Sequence, residues 1–481
     1  MAETADEATR LQNQVRREQT RQLLAALERD LQAWLQHRRN QDRNGGGQYI
    51  GRHKTQLEAL ESVLLGALGD VRSELEKLSP DSAVGPFYDR CRDCDRALVW
   101  LQRLWDYFRQ KFDQRDQEPA GALLRAADEV VWSCYRGVFA RAQARRPALA
   151  QGPVPLPFVE PDYSPAARPA HNVPPTLHTD VDFLDDYLRI LPVPLLQIPP
   201  WCVPAPWWLV FVGHEVGHYL IHDLGLVAYF KEGVGTAVAG KDLPKGLVTA
   251  WQLWAEEIFA DVLSLLTMGH WALWSIVEVE WAAPEAMVRP RSRYPAPVIR
   301  LALMGRVAEL LGLPAAKGLR GLDLQAIAAA DQRAALDWTV LDDVAEFLLA
   351  ALPDNLGTLA ALTAFDTTAF ALGGAVSLLS QRLRGAVPYA LTAQLDTPRQ
   401  VTAAAMQAWS EIAALSGASQ RQQARDALAT NARNDMIAGG EPGTRGDRQP
   451  SGHMPQAGST LAKQLLQRAA EQRATAPAEE D

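Results

Sequence analysis

The sequence predicts a mainly α-helical fold in which one core with a small β-sheet is flanked by helical N- and C-terminal regions. Three observations predict it. Apolar residues return every third or fourth position through residues 6–144 and 322–432, the repeat that lines one side of a helix. Proline collects in one block, fifteen between residues 147 and 206, which disfavours helix there and favours extended chain. Between these regions an apolar run at 207–212 leads into His214-Glu215-Val216-Gly217-His218, whose spacing puts both histidines on one side of a helix.

The N-terminal region comprises residues 1–146. An Arg- and Gln-rich helix is expected at 6–40, with Leu24, Leu27, Leu31 and Trp34 on one side, and Gly45-Gly46-Gly47 ends it. A second helix at 54–79 carries Leu57, Leu60, Leu64, Leu68, Val71, Leu75 and Leu78, a narrow stripe of the coiled-coil type. That stripe predicts either an antiparallel hairpin over 6–79 or a homo-oligomer formed through the N-terminal helices. Further helices follow at 88–114 and 119–144, with Trp100, Trp105 and Trp132 as core candidates. Cys91 and Cys94 form a lone CxxC without a second pair and read as helix cysteines, while Cys134 and Cys202 read as core.

Composition bounds the partners. A net charge of −9, with arginines spread among the acids, offers no basic surface for nucleic acid. The opening MAETADEATRLQ has neither a basic nor an apolar stretch of the secretory kind, and the longest uncharged run, 191–213, carries six prolines. No membrane association and a cytoplasmic location are therefore expected.

After the Pro-rich segment at 147–206, with helix only at 181–190, the core is expected at 207–312. On a helix, His214 and His218 stand ~6 Å apart along the axis and can grip one metal ion. Glu215 is then placed to take a proton from a water that the metal activates. Catalytic zinc needs a third protein ligand. The helix-forming stretch 254–261 supplies it, because Glu257 and Asp261 are four residues apart and share a side. Glu257 can reach the metal while Asp261 accepts the outer ring N–H of a ligand histidine. Glu256 has Ala260 at the corresponding position and reads as a solvated neighbour. His222 continues the histidine row, but eight residues rise ~12 Å, too far for one ion, so it reads as a rim group.

Together, HEVGH and the later Glu-x-x-Ala-Asp resemble the gluzincin zinc metalloproteases, the group that includes thermolysin. HEVGHYLIH is also similar to the opening of cytosolic regulatory metalloproteases of the ImmA/IrrE kind. The resemblance covers roughly residues 207–268. It implies a zincin-like metallopeptidase core, zinc as cofactor, ligands His214, His218 and Glu257, the base Glu215, and Asp261 behind a ligand imidazole. The implied reaction is hydrolysis of peptide bonds in a peptide or protein substrate. It also implies an extended segment on which a peptide can add as a strand, and 190–198 is the segment expected to do so. Gluzincins further use a downstream His, Tyr or Arg at the oxyanion. No matching motif is present, and on chemistry alone Tyr294 leads Arg293, Arg300 and His270.

Residues 225–246 read as a glycine-containing connection with a short strand at 226–230 and a mobile loop. Within it, residues 235–241 fit GxxxxGK, yet Asp242 stands where a phosphate loop needs Ser or Thr, so nucleotide binding is not expected. A single helix is expected at 249–281, then a loop at 284–297 and a helix at 298–311. The C-terminal region, 313–432, reads as helical scaffold at 322–333, 337–352, 356–384, 397–415 and 417–432. Residues 433–481 read as disordered linker and tail, with a short amphipathic helix at 460–472. Two other functional readings stand beside the peptidase. One is a non-catalytic zinc-binding regulatory or peptide-binding protein. The other is a metal-free helical scaffold assembled through the N-terminal stripe.

Overall fold

In chain order the first elements are α1 (Ala2–Asn44), α2 (Lys54–Glu76), α3 (Val84–Asp113), α4 (Ala120–Arg145), β1 (Leu156–Val159), β2 (Ala166–Arg168) and β3 (Leu195–Ile198). The middle of the chain holds α5 (Val212–Asp223), α6 (Val227–Ala239), α7 (Lys245–Met268), α8 (His270–Glu280), α9 (Pro284–Met287) and α10 (Pro297–Leu310). The remainder holds α11 (Leu324–Ala329), α12 (Gln332–Trp338), α13 (Leu341–Leu349), α14 (Leu359–Thr363), α15 (Ala375–Leu383), α16 (Thr397–Ala413), α17 (Ala418–Ala438) and α18 (Met454–Thr475). This is a computed structural model, and it describes residues 2–44, 52–149, 154–161, 166–168, 193–240, 243–291, 293–314, 323–441 and 454–475. The expected glycine stop at 45–47, the helix at 181–190, Asp242 and residues 442–453 of the expected linker lie outside the described residues.

The chain divides into two units. The first takes Met1–Asp113, Ala170–Pro194 and Gly443–Asp481, and the second takes Gln114–Pro169 and Leu195–Pro442. The division falls at Asp113, so α4 belongs with the motif rather than with the N-terminal helices.

In the first unit, the leucine stripe of α2 is buried from Leu57 to Leu75. Leu24, Leu27, Leu31 and Leu35 of α1 are buried too, and α1, α3 and α18 all pack on α2. The stripe is thus covered within the unit. Asn13 fixes one end by donating to the carbonyls of Pro80 and Ser82, at 2.9 and 2.8 Å, in the turn between α2 and α3. The C-terminal segment read as tail contributes α18, which buries Leu461, Ala462, Leu465 and Ala469. Trp105 is buried, whereas Trp100 is half-buried with the Arg103 guanidinium 5.1 Å from its ring.

In the second unit, the sheet has three strands in the order β1-β3-β2. Strand β3 runs parallel to β1, with Leu156 opposite Leu195, and antiparallel to β2, with Ala167 opposite Leu196. The expected free edge at 190–198 is corrected here. Residues 195–198 form the central strand, with a ladder on each side, so their backbone groups are already paired. Among the described residues no strand pairs with the outer side of β2.

Three further expectations change. The strand and loop read at 225–246 are largely α6, because Phe230, Val234 and Val238 bury one side at helical spacing, a period that five apolar residues could not reveal. The helix read at 249–281 is broken into α7 and α8 by Gly269, whose φ of 64° few other residues adopt and whose missing side chain makes room for Phe370. The run at 356–384 breaks at Ala364 and Gly373, both with positive φ. The mainly helical class with a small sheet stands. Among the described residues, no helix is long and apolar enough to cross a membrane.

Candidate metal centre

The site begins with how α5 is made. A 3-10 helix at Pro206–Phe211, started by a proline that needs no donor, runs directly into α5. Gly225 ends it with φ 67°. There the N–H of Leu226 donates to Ile221 and that of Gly225 to His222, which satisfies two terminal carbonyls. Val216, Leu220 and Ile221 are fully buried, and Tyr219 donates its hydroxyl to the carbonyl of Leu195 in β3. Tyr135 of α4 donates to Asp223 at 2.6 Å. These contacts fix the helix on both sides and at its end.

Two glycines then let α7 come close. A Cβ on Gly213 would lie 2.6 Å from Thr267 Oγ1, and one on Gly217 would lie 2.6 Å from the Cα of Ala260. Such approaches are closed to any side chain. As the contact moves up α5 it moves down α7, so the helices are antiparallel, and this register carries Glu257 and Asp261 to the two histidines.

The outcome is a triangle of donors. His214 Nε2 and His218 Nε2 are 3.2 Å apart, and Glu257 Oε2 is 3.3 Å from each. Neither this buried carboxylate oxygen nor His214 Nδ1 makes a well-directed hydrogen bond. Three donors that face one another across such edges suit a common cation. A tetrahedral centre with bonds of about 2.0–2.1 Å has ligand-to-ligand edges of about 3.3 Å, the size seen here. An octahedral magnesium site at about 2.1 Å would want edges of about 3.0 Å and oxygen donors. Two imidazole nitrogens and one carboxylate oxygen form a donor set that could hold a metal ion.

Glu215, Glu257, Asp261 and Glu280 are 6, 9, 4 and 3% exposed, and Arg300, 5% exposed, is buried among them. Asp261 and Glu280 share the Arg300 guanidinium, and Glu280 also meets Arg291. Burial alone would lower the pKa of His214, but the carboxylates of Asp261 and Glu257 outweigh it and hold the ring up to about 10. Glu257 feels burial in the opposite sense, and the two imidazoles beside it hold its carboxyl well below the usual range.

Asp261 is where the sequence places it. Its Oδ1 lies 2.9 Å from His214 Nδ1, so the ring nitrogen that faces His218 and Glu257 is Nε2. Burial would raise its pKa, but the charge of Arg300 lowers it, and Asp261 stays a carboxylate. Glu215 sits beside His214 on α5 and is equally buried.

The oxyanion candidates separate. Arg300 is already engaged, since each of its three nitrogens donates to Asp261 or Glu280. Arg293 is exposed, and His270 is buried against Trp271 at the start of α8. Tyr294 is half-buried and lies against Arg300, with the guanidinium carbon 4.8 Å from its ring. Burial first and the charge of Glu257 second push its hydroxyl well above the usual tyrosine value, with Glu215 adding to the shift. The phenol is thus held protonated.

His222 and Glu256 show what the sequence missed. Glu256 is no free solvated neighbour. It pairs with His222 at 3.1 Å and with Lys231 of α6 at 2.6 Å, and these contacts hold its pKa at about 2. His222 stands outside the donor triangle, 44% exposed at its side chain. Among the described residues, the only group of three or more metal-ligating side chains is His214, His218 and Glu257. No family model, curated protein or solved structure matches the chain.

Proposed function

We propose that this protein is a zinc-dependent peptidase. The observation that carries the reading is the near-equilateral triangle of His214, His218 and Glu257, with an acid, Glu215, adjoining it on the same helix. When bound, zinc would supply Lewis-acid polarisation of a scissile carbonyl and of a water. Glu215 takes the proton of the attacking water and returns it to the departing amine. Tyr294, kept protonated, donates a hydrogen bond to the carbonyl oxygen as charge builds on it. Asp261 holds the His214 ring so that Nε2 faces inward.

The substrate is proposed to lie as an added strand on the outer side of β2, which packs against α5, instead of on 190–198. Main-chain pairing there would bind an extended peptide with little regard for its sequence. The first experiment is elemental analysis of wild type and His218→Ala, purified without metal-affinity steps or chelators. About one zinc per chain, lost in the variant, supports the reading. A wild type that takes up none after zinc is added back refutes it and leaves the helical scaffold. Zinc without any Glu215-dependent cleavage of a peptide library would favour the non-catalytic binding protein.

A further inference from the structure

Asp261 is held by one side chain from another helix. Arg300, in the first turn of α10, donates from Nε to Asp261 Oδ2 and from Nη2 to Oδ1, both at 2.8 Å. Oδ1 is also the oxygen that faces His214 Nδ1 at 2.9 Å. The third nitrogen, Nη1, donates to Glu280 Oε1 at 2.8 Å. Glu280 ends α8, and its other oxygen lies 2.9 Å from Arg291 of the following loop. The ring of Tyr294 from the same loop lies against the guanidinium.

We infer that Arg300 is a positioning residue that sets the grip of the centre on its metal by acting through Asp261. The inference rests on the metal-site reading above. A carboxylate held at one oxygen can turn about its Cβ–Cγ bond, whereas one held at both by a planar fork cannot. With Asp261 fixed, the carboxylate oxygen 2.9 Å from His214 Nδ1 is fixed, and its charge favours the ring orientation in which Nε2 faces His218 and Glu257. The guanidinium also draws charge from the oxygen that faces the imidazole and so moderates the basicity of the ligand. Lysine cannot replace it, because one ammonium cannot hold both oxygens of Asp261 and reach Glu280 from the same side chain. Glu280, held in turn by Arg291, keeps the guanidinium in its plane. The sequence gives no sign of this linkage, since Asp261, Glu280 and Arg300 lie on three different helices.

The test is a double-mutant cycle read as zinc affinity, by competition with a chromophoric chelator, on the full chain. Arg300→Lys is expected to weaken zinc roughly tenfold to a hundredfold, and Asp261→Asn by a similar factor. Because the arginine acts through the aspartate, Arg300→Lys in the Asp261→Asn background should add less than about a further twofold. Losses that multiply in the double variant, or an Arg300→Lys chain that binds zinc as tightly as wild type, overturn the inference. Where Arg300→Lys does not fold, Glu280→Gln takes its place in the same cycle, with a loss of a few-fold expected in wild type and none beside Asp261→Asn. A wild type that binds no zinc removes the proposed function along with this inference. Zinc in the wild type with multiplying losses removes the inference alone.

Discussion

His218 with Glu257 and His222 with Glu256 are the same two residue types, one helical turn apart on α5 and one residue apart on α7. Their surroundings differ. The inner pair converges on His214 with no intervening cation side chain, and its carboxylate oxygen lacks a well-directed hydrogen bond. In the outer pair, Lys231 already neutralises Glu256, and the histidine side chain is 44% exposed. A His–Glu contact alone therefore does not make a metal site. A third donor, His214, converges on the inner pair, whereas Lys231 takes that place at the outer one.

The largest effect should separate the pairs outright. His218→Ala is expected to lose both zinc and cleavage, whereas His222→Ala should keep a full equivalent of zinc by elemental analysis. Zinc lost equally from both would end the distinction.

Next in size are the groups that handle charge in the reaction. Glu215→Gln should retain its zinc and lose turnover by at least 10²–10⁴-fold, the usual worth of a general base. Retained cleavage in that variant would sink the mechanism. Tyr294→Phe should lower kcat on the order of 10²–10³-fold and leave KM nearly unchanged, as expected for a donor that acts in the transition state. A change confined to KM would make Tyr294 a binding group instead.

Packing comes after chemistry. Gly217→Ala would place a methyl group 2.6 Å from the Ala260 backbone, forcing α5 and α7 apart. A thermal melt of the metal-free chain should register a loss of about 1–3 kcal/mol, and zinc affinity should fall as the triangle opens. Full zinc affinity in this variant would show that the close approach of the helices is not what sets the donor spacing.

The smallest effect belongs to the outer pair. Glu256 is depressed from 4.5 to about 2, chiefly by the hydrogen bond with His222 and then by Lys231. A depressed carboxylate stabilises the fold fully above its unfolded value, and that contribution is lost as pH falls through the folded one. Glu256→Gln should thus be slightly less stable than wild type above about pH 5 and equal to it near pH 2. Solvent screening keeps the difference below about 1 kcal/mol. A gap that persists undiminished at pH 2 would assign it to packing instead of charge.

The sequence by itself determined the helical class, the leucine stripe of α2, and the four residues His214, His218, Glu257 and Asp261 as a set. These are local facts, because a helical period and an i, i+4 spacing are properties of one segment. It misread 226–230 and ran α7 through Gly269, since five apolar residues show no period and one glycine can sit inside a helix or end it. Tertiary structure alone decided the rest. The central place of β3 follows from pairing with strands distant in sequence. The hold of Arg300 on Asp261 and Glu280 follows from three helices meeting in one buried volume. Such contacts leave no periodic trace in the chain, because what selects them is the cost of burying a charge without a partner, and that cost exists only once the helices have packed.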